Sequence, residues 1–348
     1  MHSSASYLQI DNIAEESTAF LNSAFESILS LKPMFDLKPI ISTKTNSTKN
    51  YTHIFGFESL FESQEYVDNI GKWMQHNWHL SIAISFFYVT LVGLGNVWMR
   101  SRVKYELRFF LIIWNLFLAV FSITGAIRSF PEFYYALTQH GIVYSICDGS
   151  YAYGITGFWA FMFIMSKVPE LVDTLFIILR KQRLIFLHWY HHATVLCYCW
   201  FSYKDFASNG RWFMNMNYIV HGLMYSYYAC KALKIRVPMF ISQLITTLQI
   251  VQMIGGCYVN WVAYQTKVYT PNIECKVSFE NIYASMIMYL SYFALFFNFF
   301  LHVYVFRSSK KTNDDTASKK VLSINLKDQH SSNSATENTM SKKVKKTN

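Results

Sequence analysis

The chain is short of charge. Asp, Glu, Lys and Arg make up 15% of its 348 residues, where a soluble domain carries about 25%. The charge is also segregated into basic clusters between long uncharged runs. That pattern excludes an ordinary water-soluble globule and implies a polytopic membrane protein. Acidic residues are scarcer than basic ones, 21 against 31. The basic excess sits at the ends of apolar runs and in the C-terminal tail, positions that serve topology and anionic headgroups rather than nucleic acid. No basic segment followed by an apolar one opens the chain, so no cleavable signal peptide is expected. The six cysteines lack regular spacing, which argues against a zinc site or a disulfide framework.

What is present is a series of seven apolar runs, about 80–99, 109–127, 151–179, 184–203, 212–230, 237–262 and 282–306. Glu65 to His79, where Tyr66, Trp73 and Trp78 alternate with charges, reads as an interfacial lead-in. Arg100, Arg102, Lys104 and Arg108 follow the first run, and Arg180, Lys181 and Arg183 follow the third. Lys231, Lys234 and Arg236 follow the fifth, and Arg307, Lys310 and Lys311 the seventh. Seven spans put all of them on one side, which predicts a lumenal N-terminus and a cytosolic C-terminus. The sequons at Asn46 and Asn50 agree, since glycosylation needs a lumenal arm.

Three regions follow: a polar, disordered lumenal arm over 1–54, a membrane domain over 55–308, and a disordered basic cytosolic tail over 309–348. The tail closes with Lys345-Lys346-Thr347-Asn348, read either as an endoplasmic-reticulum retrieval signal or as more basic tail. The topology leaves Cys147 and Cys275 alone in lumenal loops, where a disulfide between them is expected.

Polar residues interrupt four of the runs. Lys167, Glu170, Asp173 and Thr174 form one stripe at i, i+3, i+6 and i+7. His188, His191 and His192 share a face at i, i+3 and i+4. Asn217, His221, Met224, Tyr225 and Tyr228 make a third stripe with Tyr227 beside it, and Thr246, Gln249 and Gln252 a fourth. Helical rise places His191 roughly 10 Å, His221 roughly 13 Å, Asp173 about 9 Å, Glu170 about 14 Å and Gln249 about 18 Å inside the cytosolic ends of their spans. The depths match, which implies one polar chamber open toward the cytosol. Intramembrane titratable groups of this kind usually face such an interior. Structural readings stand beside this one. Lys167–Glu170 can be a simple ion pair, Gln249 and Gln252 interhelical glue, and the tyrosines packing.

Two chemistries suit a histidine chamber. A diiron desaturase or hydroxylase needs many imidazoles. Of 11 histidines, only His188, His191, His192, His221 and His302 lie in the runs, and no second histidine box exists. No metal is therefore expected. The other chemistry is nucleophilic: a neutral imidazole attacks a thioester and carries the acyl group, with Asn, Tyr and Gln donors stabilising the oxyanion.

Lys167-Val-Pro-Glu170-Leu-Val-Asp173-Thr174, His188-Trp-Tyr-His191-His192, Asn217-Tyr-Ile-Val-His221-Gly-Leu-Met224-Tyr225-Ser-Tyr227-Tyr228 and Thr246-Thr-Leu-Gln249-Ile-Val-Gln252 together resemble, in order, the signature boxes of the ELO family of very-long-chain fatty-acid elongases. The resemblance covers about residues 55 to 308. It implies an all-α membrane fold of seven transmembrane helices, with helices two to seven in a barrel of two inverted three-helix units. It further implies an endoplasmic-reticulum 3-oxoacyl-CoA synthase that condenses a long-chain acyl-CoA with malonyl-CoA, releasing CO2 and CoA.

By the same resemblance, His191 and His221 take part in acyl transfer, and His188 and His192 orient the reacting groups. Lys167, Glu170, Asp173, Asn217, Tyr225, Tyr228, Gln249 and Gln252 are expected to line the substrate chamber. No cofactor is expected beyond the two substrates. The 3-oxoacyl-CoA reductase, 3-hydroxyacyl-CoA dehydratase and enoyl-CoA reductase of the cycle are expected partners, with homo-oligomers possible. Trp189-Tyr190 within the histidine box resembles the branch that extends saturated and monounsaturated chains of palmitate length.

Overall fold

A computed structural model describes residues 53–306. Asn46, Asn50, most of the N-terminal arm and the tail with its dilysine pair lie outside the described residues. A 3₁₀ turn, Ser59–Glu62, leads into α1, Gln64–Asn77, which Ser63 caps by accepting from the Tyr66 amide at 3.4 Å. Val67, Ile70, Gly71 and Met74 are buried at helical spacing, so α1 lays one apolar face on the bundle. The further helices are α2, Leu80–Met99; α3, Arg108–Cys147; α4, Gly154–Ser166; α5, Val172–Leu179; α6, Phe186–Tyr203; α7, Gly210–Ala232; α8, Met239–Tyr269; and α9, Phe279–Phe300. A π-helical turn, Leu301–Phe306, continues α9.

Two compact units are distinguished, 1–294 and 295–348. The polar groups treated below all belong to the first. In the second, His302 Nδ1 approaches the Asn298 carbonyl at 2.9 Å.

The chain is an all-helical membrane protein. Helices α2, α3 and α8 and the helical stretch 279–306 are long and apolar enough to cross a bilayer. Their outward faces are large apolar side chains such as Phe86, Phe87, Leu94, Ile254, Trp261 and Ile287. Helices α6 and α7 are also long, but histidines, amides and Arg211 dilute their hydropathy.

The structure changes two expectations about these elements. The lumenal loop expected to hold Cys147, between the second and third runs, is largely helical, because α3 continues for 40 residues through Pro131. Proline removes one backbone donor there without ending the helix. The break falls at Gly141, whose φ of +84° only glycine adopts readily. Packing accounts for the continuation: α3 lies along α7 in the most extensive helix pairing of the fold. Gly125 seats the Tyr218 ring, where an added Cβ would meet Cε1 at 2.6 Å.

The third run is not one helix. Pro169 interrupts it, and a 3₁₀ turn, Pro169–Leu171, separates α4 from α5. Of the expected stripe, Lys167, Glu170 and Asp173 still face α7, meeting Asn217, His221 and Tyr225 in turn, while Thr174 faces Tyr88 of α2 and His188 of α6.

At the end of the bundle away from the basic loops, Cys147 and Cys275 form a disulfide across 128 residues of sequence. The Lys276 amide donates to the Cys147 carbonyl at 3.0 Å, and the Ser208 amide donates to the Lys276 carbonyl at 3.0 Å. The connections after α3, α6 and α8 are thus joined.

Candidate active site

The centre of the site is a buried ion pair at the α4–α5 break. Lys167 and Glu170 are each 2% exposed, and Lys167 Nζ donates to Glu170 Oε1 at 2.8 Å and Oε2 at 3.1 Å. Two charges held this deep need further hydrogen bonds to offset desolvation. They have them: Ser166 Oγ donates to Glu170 Oε1 at 2.8 Å, Lys167 Nζ donates to Asn217 Oδ1 on α7 at 3.2 Å, and the ammonium also stands over the Phe163 ring at 4.2 Å. Glu170 Oε2 faces His221 Nδ1 at 4.0 Å. This is longer than a hydrogen bond, yet close enough for the carboxylate to favour the tautomer with hydrogen on Nδ1. That leaves the Nε2 lone pair for chemistry.

Beyond the turn, Asp173 and Thr174 diverge. Asp173 accepts from Trp114 Nε1 on α3 at 2.6 Å and from the Tyr225 hydroxyl on α7 at 2.8 Å. Tyr225 in turn stands edge-on to the His221 ring, with centroids 5.4 Å apart. Thr174 Oγ1 meets Tyr88 OH on α2 at 2.6 Å and His188 Nε2 on α6 at 3.1 Å.

The three histidines of α6 remain on one side of their helix. His192 lies tilted against His188, with centroids 4.6 Å apart, and stands edge-on to His191 at 5.5 Å. His191 lies against Tyr292 of α9, ring to ring at 4.9 Å. The Tyr292 hydroxyl meets Thr194 Oγ1 at 2.6 Å and donates to the His191 carbonyl at 3.3 Å. Position 191 is thereby held from two helices. His192 Nδ1 is buried with no hydrogen-bond partner among the described residues.

The structure joins Lys167, Glu170, Asn217 and His221 directly, and links Asp173 to Tyr225 and His188 to Thr174. Gln249 is set differently: its Nε2 donates to Met224 Sδ at 3.4 Å, a contact of α8 with α7. Gln252 is buried. Tyr228 is 44% exposed and stands 6.4 Å from the Tyr225 ring, at the rim rather than inside. Among the described residues, no group of three or more His, Cys, Asp or Glu side chains is arranged to hold a metal ion.

Several members were not legible as site residues. Tyr88, Trp114, Thr194 and Tyr292 read as ordinary aromatic or small positions of apolar spans, and no spacing marks them. Arg211 precedes the fifth run, at the end opposite the basic clusters, and no spacing marks it. It is fully buried, paired with Glu132 at 3.0 Å, and it donates to the Ser145 carbonyl at 2.9 Å and the Ser150 hydroxyl at 3.1 Å. Glu58 is likewise enclosed, bound by Arg128 and by Trp159 Nε1 at 2.8 Å.

Comparison with known proteins bears on this geometry. The family model described as ELO, GNS1/SUR4 family, matches residues 73–312. The chain is 45% identical to very long chain fatty acid elongase 6 of Drosophila melanogaster over 282 residues, covering 80% of this chain and 88% of that protein. It is 46% identical to very long chain fatty acid elongase 6 of Gallus gallus over 262 residues, covering 75% and 96%. Against the Homo sapiens protein of the same name, identity is 46% over 259 residues, covering 74% and 95%.

Proposed function

The chain belongs to the ELO (GNS1/SUR4) family, and from that premise we propose how its chamber carries out fatty-acid elongation. The enzyme is a fatty-acid elongase, a 3-oxoacyl-CoA synthase that condenses a long-chain acyl-CoA with malonyl-CoA to give 3-oxoacyl-CoA, CO2 and CoA.

In the proposed route His191 attacks the acyl thioester carbonyl. The C–S bond breaks, CoA leaves as thiol, and the acyl group stays on the ring as an acyl-imidazole. Malonyl-CoA then loses CO2, and the resulting enolate attacks the acyl carbonyl, which forms the new C–C bond, breaks the C–N bond to His191 and leaves its ring to take up one proton from solvent. His221, held beside Glu170, handles the proton that goes to the departing sulfur. His188 and His192 orient the ring of His191. Lys167, Asn217 and Tyr225 supply polarity for charge developing on oxygen, from fixed positions that need no reorganisation. Asp173, Tyr228, Gln249 and Gln252 line the approach, and no cofactor beyond the two CoA thioesters takes part.

The observation that carries this reading is the Lys167–Glu170 pair, which ties the α4–α5 break to Asn217 and His221 of α7. A purely structural ion pair has no need of a histidine facing its second carboxylate oxygen.

The topology we favour has seven spans, α4 and α5 counting as one broken span, with spans two to seven arranged as a barrel. The N-terminus and the Cys147–Cys275 bridge are then lumenal, and the basic loops are cytosolic in the endoplasmic-reticulum membrane. Use of the Asn46 and Asn50 sequons, work alongside the reductases and dehydratase that complete the cycle, and self-association belong to the same reading. Palmitate-length saturated and monounsaturated chains are its preferred substrates.

A chain-length panel tests it. Purified full-length protein is incubated with labelled malonyl-CoA and acyl-CoAs of graded length. Maximal 3-oxoacyl product at palmitoyl-CoA, lost in His191→Ala, is expected. Malonyl-CoA consumption at wild-type rate by His191→Ala would sink the acyl-imidazole route.

A further inference from the structure

A recess lies between α4, α6 and α7, the helices that carry Lys167, His192 and His221. Its volume is about 40 Å³, and its walls include Phe163, Cys199, Tyr203, Phe213 and Met214. Phe163 precedes Lys167 on α4, Cys199 follows His192 on α6, and Met214 precedes His221 on α7. The recess therefore stands on the side of the histidines away from the basic loops.

Most of its wall is apolar, but its far end carries hydroxyls. Tyr151 OH donates to the Ala207 carbonyl at 2.9 Å, and Tyr198 OH donates to Asn281 Oδ1 at 2.8 Å. Tyr203 differs. It is 4% exposed, and its hydroxyl has no hydrogen-bond partner among the described residues. A buried hydroxyl without a partner is costly, and such a group in a ligand cavity calls for a ligand that can answer it.

Length suits the end of an acyl chain. From His191 to Tyr203, α6 rises ~18 Å. A zigzag chain with bonds of about 1.5 Å covers that distance with roughly fourteen carbons.

We propose that this recess receives the ω end of the acyl chain and that Tyr203 lets the enzyme elongate ω-hydroxyacyl-CoAs as well as methyl-ended ones. The inference rests on the elongase reading above. The condensation itself is unchanged: an ω-hydroxyacyl-CoA and malonyl-CoA give the ω-hydroxy-3-oxoacyl-CoA, CO2 and CoA, and the terminal hydroxyl keeps all its bonds. Its role is to pair with the phenol of Tyr203. A site that makes such a hydrogen bond discriminates against the analogue lacking it, whereas an apolar site penalises the hydroxyl.

The test compares three substrates on the purified full chain with labelled malonyl-CoA: palmitoyl-CoA, ω-hydroxypalmitoyl-CoA and heptadecanoyl-CoA. The last two have nearly the same length and shape and differ in a hydroxyl against a methyl. We expect kcat/KM for ω-hydroxypalmitoyl-CoA to equal or exceed that for heptadecanoyl-CoA. Tyr203→Phe should lower that ratio about tenfold, a change of about 1.4 kcal/mol. A wild-type ratio below one tenth overturns the proposal, and so does a ratio that Tyr203→Phe leaves unchanged. Should Tyr203→Phe fail to accumulate, the wild-type ratio alone decides. Turnover of palmitoyl-CoA monitors the underlying reading separately, since no product from any of the three chains would count against elongation itself.

Discussion

The Glu170 carboxylate stands between Lys167 and His221: both its oxygens accept from Lys167 Nζ, at 2.8 and 3.1 Å, and Oε2 also faces His221 Nδ1 at 4.0 Å. Removing the charge leaves Lys167 a buried cation without its counter-ion, a loss of about 3–5 kcal/mol. Glu170→Gln should therefore lower both the melting temperature in detergent and the elongation rate. The double variant Lys167→Met/Glu170→Leu, of similar volume and no charge, should recover the melting temperature but not the rate. Recovery of both would reduce the pair to a structural role.

A second prediction concerns the acyl carrier. With palmitoyl-CoA and no malonyl-CoA, intact-mass measurement of the wild type should show one added acyl group, and His191→Ala should show none. Turnover of that variant should fall by at least about a hundredfold. An adduct of undiminished occupancy on His191→Ala would place the covalent bond elsewhere.

Trp114 and Tyr225 both donate to Asp173, at 2.6 and 2.8 Å. A hydrogen bond to a charged group contributes about 1.5–3 kcal/mol, so Trp114→Phe should cost on the order of tenfold in kcat/KM. Because the two donors share one acceptor, Trp114→Phe and Tyr225→Phe should combine non-additively. A double-mutant cycle on elongation rates measures the coupling, and strict additivity would mean that Asp173 does not connect them.

The Cys147–Cys275 bridge closes a long loop at the end of the bundle away from the histidines. Its removal in Cys147→Ser/Cys275→Ser should cost about 2–5 kcal/mol of stability. Activity measured well below the melting temperature should persist. Thermal unfolding with and without reductant checks the first point, and low-temperature turnover the second.

Arg211 is fully buried, and Glu132, two backbone carbonyls and Ser150 depend on it. Arg211→Met leaves the buried Glu132 carboxylate without its counter-ion and removes a donor from the Ser145 carbonyl, and it should prevent the protein from accumulating in membranes. Pairing it with Glu132→Leu should restore part of the yield, and fluorescence-detected size exclusion of detergent extracts reads the difference. Equal yields for the single variant and the wild type would show that the node is dispensable.

Much of the site is legible without coordinates because intramembrane polar residues are few. His188, His191 and His192 advertise one helix face, and Lys167, Glu170, Asn217 and His221 stand out against apolar surroundings. The less legible part follows from residue types that are common in membrane spans. Trp114, Tyr88 and Tyr292 belong among aromatic neighbours, and only their hydrogen bonds to Asp173, Thr174 and Thr194 distinguish them. Nothing local marks Arg211 and Arg128, because the acids that neutralise them, Glu132 and Glu58, are distant in sequence. The continuation of α3 through Pro131 was hidden for a related reason: local breakers suggest a loop, and packing against α7 overrides them.

The sequence by itself determined the helical membrane class and the four polar boxes, since hydropathy, periodicity and spacing are local properties of the chain, and the boxes in their order carry the resemblance to the family. The tertiary structure decided which polar groups meet. Across the 3₁₀ turn at Pro169, Lys167, Glu170 and Asp173 meet Asn217, His221 and Tyr225 along α7, while Asp173 also reaches Trp114 of α3 and Thr174 reaches His188 of α6. It also decided that Tyr203, one tyrosine among 24, has a hydroxyl without a hydrogen-bond partner among the described residues, at the far end of a recess. Such pairings depend on distances between helices, and those are set by the whole bundle rather than by any one stretch of chain.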